Sequence, residues 1–340
     1  MITTYVRSSS YSTYDLCETK YFIEYVLGYK SPTGKAALKG TIVHKVMEVL
    51  ARIQLNTQKG LDEFFDTEFN KVYSTSDFDL KDILAESYKF YTEKNTHLDF
   101  EPVDFRECLR LINKALESDY NPLHREIFEA ELFFDLPIEE EWAKYDFKIG
   151  SKTIEGNLAV KGTIDLITKI SDDTLEVIDW KTGKFKKDWA TNKDKDYDAF
   201  RDDFQIRLYH YALRKKFPEI KTFMFTVYFI YLDSPNTVFF TDEDLPRTLE
   251  KLKNRYDQIK ANTKPKRIKG DFKCRWCEFS KDSYKICDKV TKEVLTIGID
   301  RVTSRYIKDD ALTAYSGGGR DDKGKIKGTN SDSGQSSWIK

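Results

Sequence analysis

Net charge is almost absent from this chain: 56 Lys and Arg stand against 57 Asp and Glu, a formal charge of −1 over 340 residues. That balance does not by itself announce a nucleic-acid partner. Long apolar runs are lacking too. The longest, Phe223–Leu232, is interrupted by Thr226 and reaches about half of the roughly 20 residues a membrane-spanning helix needs, so no membrane span is expected. Met1–Ser10 carry one Arg and no apolar h-region, which predicts an intracellular, cytoplasmic protein without a secretory signal. Only five cysteines are present, and in a reducing compartment they suggest metal binding or chance, not a disulfide framework. No G-x-x-x-x-G-K-[ST] pattern occurs, so a helicase motor is not expected in this chain. What is abundant is core-forming material, 40% hydrophobic and 14% aromatic with 23 Phe and 20 Tyr. Such a composition excludes disorder throughout, and the length suits one large domain or two ordinary ones.

Charge of each sign is gathered locally. Leu61–Glu101 hold eleven acids and four bases, Lys264–Lys289 nine bases and four acids, and Lys181–Lys195 six bases and two acids. The two basic stretches suit either a polyanion groove or a solvated surface. Periodicity predicts helices over Tyr11–Leu27, Ala36–Leu55, Leu61–Tyr73, Leu80–Lys94 and Asp104–Leu116, making residues 1–125 a helical region. From Glu126 the texture becomes β-branched and aromatic. Ile127–Leu136, Leu158–Ile170, Thr174–Trp180 and Phe223–Leu232 read as strands of one sheet, with helices at Phe200–Phe217 and Leu245–Ala261. Strands, helix and strand with helices before and after define an α/β core over 126–262. Residues 263–300 form a cysteine-bearing element, and 301–340, Gly/Ser/Asp/Lys-rich after Ser316, read as a flexible tail.

The chemistry concentrates in Gly162-Thr-Ile-Asp165 and Asp179-Trp-Lys181-Thr-Gly183, which flank a turn at Ser171-Asp172-Asp173. A register symmetric about Asp172 sets Asp165 opposite Asp179 and Thr163 opposite Lys181. Strand alternation then puts Lys181 on the face of Asp179. Two facing carboxylates repel unless something positive lies between them, and an oxygen-rich pair of this kind suits Mg²⁺ or Mn²⁺. Such an ion can bind a phosphate oxygen and acidify a water, while the ammonium positions that water or offsets charge at phosphorus. A salt-bridge cluster at a sheet end is the other reading of the same three residues.

These two segments resemble the central motifs of the PD-(D/E)XK nucleases, in the RecB-like branch that includes AddB-type nuclease domains and CRISPR-associated iron–sulfur exonucleases. The resemblance covers most of residues 8–290. It implies a restriction-endonuclease-like fold, a mixed sheet flanked by helices, and metal-dependent cleavage of phosphodiesters, with Asp165, Asp179 and Lys181 catalytic. Gly40-Thr-Ile-Val-His44 is similar to the G-x-x-x-H element whose His completes the metal shell. Gln205-Ile-Arg-Leu-Tyr209 is similar to the Q-x-x-x-Y element, whose i,i+4 spacing puts both side chains on one helix face. There Gln205 supports the lysine or the water and Tyr209 packs near the substrate phosphate. The implied metal ligands are His44, Asp165, Asp179, the Trp180 backbone carbonyl and Glu131, which sits where the branch often carries a Glu on its first core strand.

Cys274-Arg-Trp-Cys277 and Cys287 supply three soft ligands within 14 residues, and Cys17 supplies a fourth from the other end of the chain. C-x-x-C suits Zn²⁺ or iron–sulfur ligation; the resemblance implies a [4Fe–4S] cluster on Cys17, Cys274, Cys277 and Cys287, with Zn²⁺ the alternative. Nine residues separate Cys277 from Cys287, a longer gap than the family layout. The expected DNA contacts are Lys184, Lys186, Lys187, Lys266, Arg267, Lys269, Lys273 and Arg275. Together these features predict a metal-dependent deoxyribonuclease, an exonuclease acting on free ends or single strands in recombination or repair, with a helicase or recombination partner. The rivals are a catalytically silent DNA-binding module and a redox-gated iron–sulfur regulator on the same fold.

Overall fold

In a computed structural model the described residues are 1–183, 195–268, 274–275, 277–280, 286–308 and 311. The chain divides into two compact units. One comprises Met1–Ser31, Pro137–Ala159 and Tyr256–Lys340, and the other Pro32–Leu136 and Val160–Arg255. In chain order the elements begin with β1 (Tyr5–Val6), α1 (Ser8–Leu16), α2 (Glu18–Tyr21) and α3 (Lys35–Gln58). They continue with β2 (Glu63–Asp66), β3 (Lys71–Ser74), α4 (Leu80–Glu93), α5 (Pro102–Glu117) and β4 (Ile127–Pro137). Next come β5 (Lys144–Ile149), β6 (Lys152–Asn157), β7 (Ala159–Ser171) and β8 (Thr174–Lys181). After these lie α6 (Tyr197–Arg201), α7 (Phe204–Lys216), β9 (Thr222–Phe229), β10 (Ser234–Phe240) and α8 (Leu245–Ala261). Helices Ile286–Ile297 and Ile299–Tyr306 close the described part. None of the described helices is long and apolar enough to cross a membrane.

In the second unit β8 is the pivot of a mixed sheet: β7 runs antiparallel to it and β9 parallel, while β4 pairs with β7 and β10 with β9. A parallel neighbour requires a crossover, and α6 and α7 supply it between β8 and β9. Covered strands read as continuous apolar runs, and in β8 Leu175, Val177, Ile178 and Trp180 are all buried. The long helix α3 turns Ile42, Val46, Val49, Leu50 and Ile53 into a core shared with Ile83 and Leu84 of α4, Leu111 and Ile112 of α5, and Leu166, Ile178 and Trp180 of the sheet. This apolar stripe at helical spacing fixes α3 against the sheet. Pro102 opens α5, and the Asp104 carboxylate accepts from the Glu101 N–H at 2.9 Å. The expected mixed sheet between helices is thus present.

Several elements differ from the sequence expectation. Leu61–Tyr73, expected as a helix, is the β2–β3 hairpin. Asp66 Oδ1 accepts from the Glu68 and Phe69 N–H groups at 2.9 and 2.8 Å, and Asn70 takes a left-handed φ of 52°. A turn of that kind breaks a helix and suits Asn. The cross-strand partners Phe64 and Tyr73 then stack at 6.0 Å, and Lys45 of α3 reaches the buried Asp66 at 2.7 Å. Tyr11–Leu27 is not one helix either: Cys17 adopts extended backbone, φ −160° and ψ 107°, between α1 and α2, and a π-helical turn follows at Phe22–Val26. The sequence reading also has no counterpart to β10 or to the β5–β6 hairpin. The latter turns at Gly150, φ 61°, and stacks Tyr145 on Phe147 at 5.4 Å.

Within the first unit, α2 is tied to the chain that follows α8. The Lys266 carbonyl accepts from the Thr19 N–H at 3.2 Å, and the Glu18 carboxylate accepts from the Lys266 N–H at 2.7 Å and the Asn262 amide at 2.9 Å. These bonds hold α2, which starts after Cys17, against Asn262 and Lys266. Of the segment read as a flexible tail, 301–340, residues up to Tyr306 lie in a helix, and those after Ser316 lie outside the described residues.

Candidate active site

The β7–β8 register is the one symmetric about Asp172. Leu166 pairs with Ile178, Ile167 with Val177 and Thr168 with Glu176, with an irregularity between Lys169 and Ser171 at the turn. One step further along, the Trp180 N–H donates to Asp165 Oδ2 at 3.1 Å. The carboxylate thereby takes the main-chain donor between Asp179 and Lys181, and both acids stand at one sheet end. Asp165 and Asp179 are buried, 9% and 5% exposed, which is costly for two like charges without nearby cations.

Two cationic side chains from different elements approach them. His44 of α3 lies with Nδ1 3.2 Å from Asp165 Oδ2, and Lys181 Nζ is 2.6 Å from Asp179 Oδ2. Gln205 of α7 completes the arrangement. Its Oε1 accepts from Lys181 Nζ at 3.0 Å, while its Nε2 donates to Asp179 Oδ1 and to the Tyr209 hydroxyl, each at 2.8 Å. Tyr209 in turn donates to the Thr163 carbonyl at 2.8 Å, tying α7 back to β7. The i,i+4 spacing of Gln205 and Tyr209 thus puts both on the sheet-facing side of α7.

The glycines of two motifs have a steric reason. A Cβ at Gly162 would stand 2.6 Å from Phe134 Cζ, and Phe134 meets Tyr209 edge to face at 6.0 Å. A Cβ at Gly40 would stand 3.0 Å from Thr182 Oγ1. Small residues here let β4 and α3 approach the strands that carry the polar groups.

Electrostatics identify a surplus of acid. Burial and the neighbouring Asp165 push Asp179 above the usual carboxylate range despite Lys181. Burial would raise Asp165 too, but His44, Lys181 and the Trp180 N–H hold it low. His44 goes up to about 9 because Asp165 and Asp179 outweigh its burial. Glu131, on β4, is pushed up to about 8 by burial, Asp165 and Glu48, and its backbone is left-handed, φ 53°. A non-glycine residue held there is strained, a feature that concentrates at functional sites. Asp165 acts electrostatically on Asp179, Glu131 and His44, and carboxylates with an imidazole are donor chemistry of the kind a hard divalent cation takes. Among the described residues no three His, Cys, Asp or Glu side chains stand in a ready coordination geometry; Lys181 and His44 meet the acids instead.

A cavity of about 100 Å³ opens beside this cluster, with Asp179, Lys181, Lys195, Asp203, Gln205 and Tyr209 on its polar side. Two of these residues were not singled out from sequence. Asp203 caps α7, Oδ1 accepting from the Gln205 N–H at 2.8 Å, and Lys195 pairs with its Oδ2 at 2.6 Å. The Asp203-Phe-Gln205 spacing is a legible N-cap signal.

The cysteines fall in the first unit, apart from Cys108, which is buried on α5 in the second. Burial raises the Cys287 thiol, Arg267 lowers it, and Cys17 and Cys277 are close enough to add to the rise. The Cys277 N–H donates to the Cys274 carbonyl at 3.1 Å, and Arg267 lies 4.0 Å from Cys274 Sγ. Lys266, Arg267 and Arg275 are exposed in this unit. Lys184, Lys186, Lys187, Lys269 and Lys273 lie outside the described residues.

The profile of the PD-(D/E)XK nuclease superfamily matches residues 8–281, and the chain belongs to that superfamily. It is also similar to one of the subunits of the ATP-dependent helicase/deoxyribonuclease of Streptococcus agalactiae, in serotypes Ia, V and III, 23% identical over 271 residues. The aligned part is 78% of this chain and 21% of the relative, so the chain spans about a fifth of the length of these curated relatives. Among solved structures, a provisionally assigned exonuclease from Eubacterium rectale is similar with a TM-score of 0.48 and 14% identity, covering 87% of this chain and 94% of that one.

Proposed function

We propose that this chain is a divalent-metal-dependent DNA nuclease, an exonuclease acting at free ends or on single strands. The observation that carries the reading is the bonded set Asp179, Lys181 and Gln205 beside Asp165 and His44, assembled from α3, β7, β8 and α7. Mg²⁺ or Mn²⁺ held by His44, Asp165, Asp179, the Trp180 carbonyl and Glu131 would supply Lewis acidity toward a phosphate oxygen and toward a bound water. The protein's own part is positional and electrostatic. Lys181, tethered between Asp179 and Gln205, orients the attacking water or offsets charge developing at phosphorus. Gln205 keeps that ammonium from folding away, and Tyr209, anchored to Thr163, fixes the Gln205 amide and packs near the substrate phosphate. The Streptococcus relatives are named as helicase/deoxyribonuclease subunits, which supports a helicase or recombination partner that unwinds the strand.

A [4Fe–4S] cluster, or Zn²⁺, on Cys17, Cys274, Cys277 and Cys287 belongs to the same reading. Its support is the bonding of α2 to the chain at Lys266, upstream of Cys274, and the influence of Cys17 and Cys277 on Cys287. The exposed Lys266, Arg267 and Arg275 would then contact DNA beside the cluster, with Lys184, Lys186, Lys187, Lys269 and Lys273 as further contacts.

The test is a time course on 5′- and 3′-labelled linear single strands and a circular single strand with Mg²⁺ or Mn²⁺, comparing wild type with Lys181→Ala. Loss of linear but not circular substrate, abolished in the variant, is the expected result, and label release gives the polarity. Binding without cleavage under either metal would replace the enzyme by a DNA-binding module.

A further inference from the structure

We propose that Lys195 is a second phosphate contact for the substrate strand, held at the active-site cavity by Asp203; this deepens the nuclease reading and rests on it. Lys195 lines the same cavity as Asp179, Lys181 and Gln205. Its ammonium sits 2.6 Å from Asp203 Oδ2 and 5.7 Å from the centre of the Phe200 ring, and its side chain is 27% exposed. A lysine that only neutralised the helix cap would be superfluous there. The helix start is already satisfied by the other oxygen, since Asp203 Oδ1 accepts from the Gln205 N–H at 2.8 Å. An N-cap aspartate also interacts favourably with the helix dipole without a cation.

The geometry therefore gives Asp203 two tasks. One oxygen sets the backbone of Gln205, which holds Lys181; the other keeps Lys195 directed at the cavity. Lys181 is committed on both sides, to Asp179 at 2.6 Å and Gln205 at 3.0 Å. Among the described residues Lys195 pairs with one carboxylate, that of Asp203, at a partly exposed site, an interaction of the weak kind that a phosphate displaces readily. The ligand is the phosphodiester of a single strand, at a nucleotide adjoining the one presented to Lys181. Nothing covalent happens at Lys195; it binds and registers the strand.

Counterion release gives a readout that a structural role does not move. Affinity of the full chain for a labelled single-stranded oligonucleotide is measured by fluorescence anisotropy across a salt series, with EDTA to prevent cutting. Lys195→Gln should weaken binding severalfold and make the slope of log K against log salt shallower by about 0.7, the value for one phosphate contact on a single strand. Lys195→Arg should restore the slope. Lys221→Gln serves as control, because Lys221 is 78% exposed and pairs with Asp173 at the β7–β8 turn. An unchanged slope in Lys195→Gln, with wild type still binding and cutting, overturns the inference and leaves the nuclease reading standing. Failure of wild type both to bind and, with Mg²⁺ or Mn²⁺, to cut overturns both.

Discussion

Gln205 donates from Nε2 to Asp179 Oδ1 at 2.8 Å. Because its Oε1 simultaneously accepts from Lys181 Nζ at 3.0 Å, one planar amide fixes the separation of the acid and the base of the D-x-K pair. Neither residue depends on strand geometry alone. Gln205→Ala should lower the single-turnover cleavage rate by about 10²-fold, the cost of a misplacement near 1 Å. Gln205→Glu should be worse, since it sets a further carboxylate against Asp179. Rates within twofold of wild type for Gln205→Ala would remove the amide from the proposed mechanism.

Gly162 controls the same site from behind. Its missing side chain admits Phe134, which props Tyr209. Gly162→Ala should cost about 1–3 kcal/mol of stability through overpacking and slow cleavage as well, because Tyr209 anchors Gln205. Phe134→Leu added to Gly162→Ala should recover part of the stability in denaturant titrations. A double variant no more stable than Gly162→Ala alone would show that the ring is not what the new methyl meets.

Much of this arrangement was legible because it depends on short-range pattern. Apolar periodicity located α3 through Ile42, Val46, Val49 and Ile53. The turn at Ser171–Asp173 set a register that brought Asp165 and Asp179 to one sheet end. The hairpin at Glu63–Ser74 was not legible as one. Phe64, Phe65, Phe69, Val72 and Tyr73 fit a helix as well as a strand, and Asn70 decides between them only through a left-handed turn and the contact of Asp66 with Lys45. β10 escaped because it opens on Ser234, Pro235 and Asn236, residue types that favour turns over strands. Proline is tolerated at the start of a strand. Lys195 was hidden for a different reason, and the cap signal at Asp203 carried no hint of a site: their meaning lies in a cavity formed by residues distant in sequence.

His210 offers a pH test away from the acids. It is fully buried, with Nδ1 3.1 Å from Thr248 Oγ1 and its ring 4.9 Å from that of Phe240. Burial is the chief cause that lowers it to about 4 from an ordinary value of 6.5. Between those values the unfolded chain binds a proton that the native protein refuses. Stability should therefore rise with pH across that window, and acidification from 6.5 to 4 should remove about 3 kcal/mol. His210→Gln should flatten this slope. Urea titrations over a pH series check it, and an identical pH profile for the variant would assign the acid sensitivity to other groups.

The cysteines separate into two chemical kinds, and each predicts a different variant. Cys108 is fully buried on α5, and burial pushes its thiol up to about 12. At neutral pH it is a small core hydrophobe, so Cys108→Ala should keep any bound metal. Cys277 follows the chain segment tied to α2, near Cys287. With a [4Fe–4S] cluster, protein purified without oxygen should show broad visible absorption and bound iron. Cys277→Ala should lose both, while Zn²⁺ would appear as bound zinc without the colour. Iron and absorption retained in Cys277→Ala would reject this ligand set. The two variants together separate ligation from folding, because Cys108→Ala removes a buried thiol without touching the proposed ligands.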